Sequence, residues 1–163
     1  MSLSDKKVNL VLKGKPFLVN YDILKISSIL SDMINESLFE DNNIPSIPIF
    51  NIEPTIFENI LSFLENYLIE PIHDLPKPMT TKVLSSIVQP FYASLVFNDK
   101  NDLNNDQIMF LIELLKAANF LGIKPLIELC SYKIAIIITE LPMEKVKEIF
   151  GFNDNSSLTS DNS

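Results

Sequence analysis

The first twenty residues and the rest of the chain follow different periodicities, and this contrast restricts the fold more than any other feature. Val8-Asn9-Leu10-Val11-Leu12 alternates, with Val8, Leu10 and Leu12 on one face. A period of two belongs to a strand. Lys13-Gly14-Lys15 supplies a turn, and Phe17-Leu18-Val19 is a second short apolar run. The opening therefore reads as a β-hairpin, with Pro16 at the start of its second strand, where a missing N–H does least harm.

From Tyr21 onward the spacing lengthens. Ile26, Ile29, Leu30, Met33 and Ile34 recur as on a helix, and Ser28 is the expected N-cap. Asp41-Asn42-Asn43 marks a loop. Pro45 and Pro48 confine any strand over Ile44–Ile49 to a short or edge position. Pro54 is well placed to open a helix whose stripe is Phe57, Ile60, Leu61, Leu64 and Leu68. Pro71, Pro76 and Pro78 then break the chain, and Val83–Phe91 permits a helix that Pro90 limits. Asp99–Asn105 is polar and reads as a mobile loop. Asp106 or Asn105 can cap the next helix, whose stripe is Ile108, Leu111, Ile112 and Leu115, and Gly122 suits its C-terminus. Leu126, Leu129, Cys130, Ile134, Ile137 and Ile138 form another stripe. Pro142 opens a last helix with Val146, Ile149 and Phe150 apolar, closed by Gly151. Asn153–Ser163 is Ser/Asn/Asp-rich and is expected to be disordered. Strands early and helices late make an α-rich α+β pattern.

Composition excludes several functions. A net charge of −8 argues against nucleic acid and against anionic membranes, both of which need a basic face. The apolar run Val8–Leu12 is too short for a signal-peptide core, and Ile134–Ile138 is far below a membrane span. The Asn-x-Ser matches at Asn35 and Asn155 then read as chance. One Cys, Cys130, permits no internal disulfide. His73 is the single His, so no metal site is expected. A Cys130–His73 nucleophile pair is opposed by the position of Cys130 in an apolar stripe. Gly14, Gly122 and Gly151 are isolated, so there is no phosphate loop. The pairs Glu36/Glu40 and Glu144/Glu148 read as solvated charge. No catalytic residue and no cofactor are expected.

The segment Leu114-Leu115-Lys116-Ala117-Ala118-Asn119-Phe120-Leu121-Gly122-Ile123-Lys124-Pro125-Leu126-Ile127-Glu128-Leu129-Cys130 carries the strongest family pattern. It resembles the Ala-Ala-Asn-aromatic-Leu-x-Ile-Lys stretch of the S-phase kinase-associated protein 1 (SKP) family, the adaptors of SCF ubiquitin ligases. Other matches run in the same order: Val8–Val19, Ser27–Met33, Ile47–Ile52 and Glu144–Phe150, covering most of residues 6 to 154. The resemblance implies a BTB/POZ-type fold, with a small sheet, a helical cluster and C-terminal extension helices. It divides the chain into 1–123 as that domain, 124–152 as helices resembling the family's F-box-binding ones, and 153–163 as a tail. It implies a non-catalytic adaptor, cytoplasmic and nuclear, linking the N-terminal domain of a cullin to F-box proteins.

By the same resemblance Asn119 and Phe120 face the cullin. The F-box would rest on Leu111, Ile112, Leu115, Ile127, Cys130, Ile134, Ile137, Val146 and Phe150. Each assignment has a bland rival. Phe120 can pack against the next helix, and the F-box set can be ordinary helical core. The family's Trp-Asp motif is absent, since the chain has no Trp, and the stretch matching its terminal helix is polar. An elongin-C-like adaptor, or a BTB scaffold that self-associates when unpartnered, are the competing readings.

Overall fold

A computed structural model describes residues 6–34, 39 and 43–150, with the backbone alone at 149 and 150. Asn35, Glu36, Glu40, Asp41, Asn42, Gly151 and the segment Asn153–Ser163 lie outside the described residues, as does the Phe150 side chain.

The hairpin forms as its alternation requires. Strand β1 (Lys7–Leu12) pairs antiparallel with β2 (Lys15–Asn20), Leu10 opposite Phe17. Lys13 and Gly14 turn the chain with φ of 50° and 81°. Val8, Leu10 and Leu12 are fully buried. Strand β3 (Ser46–Pro48) lies parallel to β1, so the sheet order is β2-β1-β3 and the proline-flanked strand is an edge.

The first helical stretch is two short helices, α1 (Tyr21–Leu24) and α2 (Ser28–Met33). The N-cap is Ser27 rather than Ser28: the Ser27 hydroxyl accepts from the Leu30 N–H. Only one side of α2 is core. Leu30 is buried, whereas Ile29 and Met33 are 40% and 46% exposed.

Helix α3 (Pro54–Ile69) carries Pro54 in its first turn and buries Ile56, Phe57, Ile60, Phe63 and Leu64. The segment after it is irregular as far as a 3-10 turn at Leu84–Ser86. Pro90 does not end a helix there. It opens one, α4 (Pro90–Leu95), because a first-turn residue has no N–H to lose. Buried Tyr92 fastens α4 to α3: its ring meets Phe63 edge-on at 5.4 Å, and its hydroxyl donates to the Glu70 carbonyl at 2.6 Å.

Helix α5 (Asn105–Leu121) is capped by Asn104, ahead of both expected caps, Asn105 and Asp106. The Asn104 side chain accepts from Gln107 N–H, while the Gln107 side chain accepts from Asn104 N–H. It ends on Gly122, in the left-handed region at φ 68°. Helices α6 (Lys124–Glu140) and α7 (Met143–Phe150) follow, and α5 packs on both α3 and α6. One buried cluster runs from Val8 to Ile137, with residues on both sides of Gly122.

Candidate functional site

Ala117 and Ala118 are buried inside the α3–α5–α6 packing, where small side chains let neighbouring backbones come close. The helix must then stop. Gly122 donates to the Asn119 carbonyl and Ile123 to the Ala118 carbonyl, satisfying the last acceptors. This ending places Asn119 and Phe120 at a surface corner. Both are exposed, Phe120 by 47%. Packing of Phe120 into the core, the rival reading, is therefore not what the fold does.

Phe120 lines a cleft of about 290 Å³ between the end of α5 and the start of α3. The opposite wall is Asn51, Ile52, Glu53 and Ile56, and the floor on α5 is Glu113, Lys116 and Ala117. Lys116 and Glu113 form an ion pair of 3.5 Å. Phe50, which precedes the lining residue Asn51 in the chain, is 69% exposed, and Asn51 has a φ of 69°. Sequence reasoning did not single out Phe50 or this cleft. Phe50 follows the edge strand in a non-periodic stretch, so no pattern marks it.

The residues assigned to an F-box split into two groups. Leu111, Cys130 and Ile137 are at most 1% exposed, and Val146 is buried too. Leu111, Cys130 and Ile137 belong to the buried core cluster and Val146 is covered outside it, so none of the four presents an open surface to a partner in this fold, against their assignment. Ile112, Leu115, Ile127 and Ile134 are half-buried. On α6 the spacing Ile127, Ile134, Ile138, Leu141 draws one stripe along the edge of the core face. Ile138 is 37% exposed and Met143, in the first turn of α7, is 67% exposed. The sequence places Ile138 in the apolar stripe of α6 without separating it from the core, and nothing in it singles out Met143. Helical spacing places a residue on a side but cannot say where the core ends.

The chemistry points the same way as the geometry. Burial pushes the Cys130 thiol up to about 12, so it is an inert thiol. His73 sits in an exposed cleft with Tyr67, Asp74, Lys124 and Glu128, and its backbone N–H donates to Gln89 Oε1 at 3.0 Å. Glu144 and Glu148 are exposed, Glu148 near Lys145 at 3.9 Å. Among the described residues no three His, Cys, Asp or Glu side chains converge as a metal site, and no helix is long and apolar enough to cross a membrane.

No family model matches the chain. A curated relative does. The S-phase kinase-associated protein 1 homolog of Tetrahymena thermophila is 30% identical over 151 residues, 92% of this chain and 84% of the relative. The chain belongs to the S-phase kinase-associated protein 1 family. At 92% of the chain the match extends far beyond the alanine–asparagine segment. A three-stranded sheet with a helical cluster is the mixed α+β architecture expected of this SKP-family chain.

Proposed function

We infer that the protein is a non-catalytic adaptor of an SCF-type ubiquitin ligase. It holds a cullin N-terminal domain at the Asn119–Phe120 corner and an F-box segment on the apolar stripe of α5, α6 and α7. The observation that carries this reading is the presence of two exposed apolar features on different elements of one core. An exposed aromatic beside a cleft marks one end of α5. A different apolar edge, Ile127 to Leu141, runs along α6. An adaptor needs two such surfaces, and it needs no titratable group in a closed pocket. Exposed anchors of this kind, rather than total area, supply most of the energy of a contact.

On this reading the F-box residues are Ile112, Leu115, Ile127 and Ile134, joined by Ile138, Leu141 and Met143. Phe150 stays in the set on the strength of the family resemblance. Ubiquitin transfer is done by other subunits, and the adaptor works in the cytoplasm and nucleus where those subunits act. The test is co-purification with a cullin N-terminal fragment and, separately, with an F-box peptide. Binding to both supports the adaptor. Cullin binding alone favours the elongin-C-like reading, and a homodimer that binds neither overturns both in favour of a self-associating scaffold.

A further inference from the structure

Lys133 has no solvent exposure and lies on the core face of α6, in line with Leu129, Ile136 and Ile137. A buried ammonium is tolerated only when its protons are used. Here all three are: Nζ donates to the Asn98 carbonyl at 2.9 Å, to the Lys100 carbonyl at 2.5 Å and to Asn101 Oδ1 at 2.9 Å. Every acceptor comes from the connector between α4 and α5. The carboxylates facing the ammonium, Asp99 and Glu140, are engaged elsewhere. Asp99 accepts from the N–H and the hydroxyl of Ser85, and Glu140 accepts from Asn101 Nδ2.

The connector follows a path its sequence does not favour. Phe97 and Asn98, two successive non-glycine residues, have φ of 69° and 53°. Such backbone persists only where its surroundings over-determine it. The charge at its centre does this by turning the Asn98 and Lys100 carbonyls inward. On its outer side Phe97 stands edge-on to Phe110 of α5 at 5.8 Å. The connector then delivers the chain to Asn104 and the capping box that starts α5.

We propose that Lys133 is a positioning residue for the F-box face: its ammonium, carried on α6, sets the path of residues 97–101 and hence the start of α5, so that Ile112 and Leu115 stay aligned with the α6 stripe. This rests on the adaptor reading given above. Hydrophobic packing alone would not need a charge at this place, and the three directional bonds are what a loop template requires.

The test uses the full chain carrying Lys133→Met, which keeps most of the volume and removes the charge. The amides of Asn98 and Lys100, which donate to Ala93 and Phe97 carbonyls, are expected to exchange at least about tenfold faster. Affinity for an F-box peptide is expected to fall about tenfold while affinity for a cullin fragment is unchanged, because Asn119 and Phe120 lie about four helical turns from Asn104. Asn101→Ala removes one acceptor and keeps the charge. It should shift both readouts in the same direction by less, and it decides the matter if Lys133→Met does not fold. Unchanged exchange over 97–101 overturns the proposal, as does an equal loss of both affinities, which is what a merely structural role would give. If the wild-type protein binds no F-box peptide, the adaptor reading has failed and the proposal falls with it. That outcome is distinct from unchanged exchange in a protein that binds.

Discussion

The Ser27 hydroxyl donates to the Leu121 carbonyl at 2.5 Å, across 94 positions of sequence. The same oxygen accepts from Leu30 N–H, so one side chain caps α2 and anchors it to the end of α5. Ser28 N–H adds a bond to the Gly122 carbonyl at 3.2 Å. The corner that presents Asn119 and Phe120 is thus braced from the N-terminal half. Gly122 is the residue that permits this approach. A Cβ there would meet Ser28 Oγ at 2.1 Å, at a φ of 68° that disfavours any side chain. Gly122→Ala is expected to cost about 1–2 kcal/mol. Its melting temperature, read by calorimetry, should fall by about 3–6 °C. An unchanged Tm would mean that α2 shifts freely on α5.

The exposed corner can be altered without touching the core. Asn119→Lys with Phe120→Ala is expected to abolish binding of a cullin N-terminal fragment. Thermal stability should stay within about 0.5 kcal/mol of wild type, as for surface changes generally. Calorimetric titration beside a melting curve checks this. Surviving cullin affinity would remove these two residues from the cullin site.

Ile134 and Ile137 are one turn apart on α6 and differ in consequence. Ile137 is 1% exposed, so Ile137→Ala should cost about 2–5 kcal/mol of stability through transfer and cavity terms. Ile134 is half-buried at the edge of that core. Ile134→Ala should cost clearly less stability, while lowering F-box affinity by about 1 kcal/mol or more if it is an anchor. Urea unfolding and peptide titration on the same two variants separate the roles.

Cys130 gives a pH signature. Burial raises its folded thiol from 9.0 to about 12, so between those values the unfolded chain ionises while the folded chain does not. A raised acid contributes stability that is intact below the unfolded value and lost as pH climbs towards the folded one. The wild type should therefore lose up to about 1.4 kcal/mol per pH unit more than Cys130→Ala above pH 9. Parallel pH–stability curves for the two proteins would show that the thiol is not shielded. At neutral pH a thiol reagent should label Cys130 only on unfolding.

Elements with a strong local pattern were legible in advance. The hairpin, the proline-opened α3, the Gly122 stop and the stripes of α5 and α6 follow from period, turn residue or cap. The N-caps fell earlier than expected, at Ser27 and Asn104, because Ser and Asn stand at adjacent positions and only the backbone path selects between them. The reading failed at Pro90, where a helix-limiting residue opened a helix instead. Proline specifies a boundary without saying which side of it is helical.

What the sequence by itself determined is the α+β order of elements, the SKP family and the stop of α5 at Gly122, because these rest on local periodicity and a contiguous motif, whereas the exposure of Phe120 was decided by the fold. The tertiary structure decided which members of each apolar stripe face outward: Leu111, Cys130 and Ile137 turn to the core, while Ile134, Ile138 and Met143 reach the surface. It also decided that Lys133 joins the inward face, since the connector from Asn98 to Asn101 supplies the acceptors that make a buried charge tolerable. Helical spacing fixes the direction of a side chain about its own axis. Whether that direction meets protein or water depends on the neighbouring elements, which lie tens of residues away in the chain.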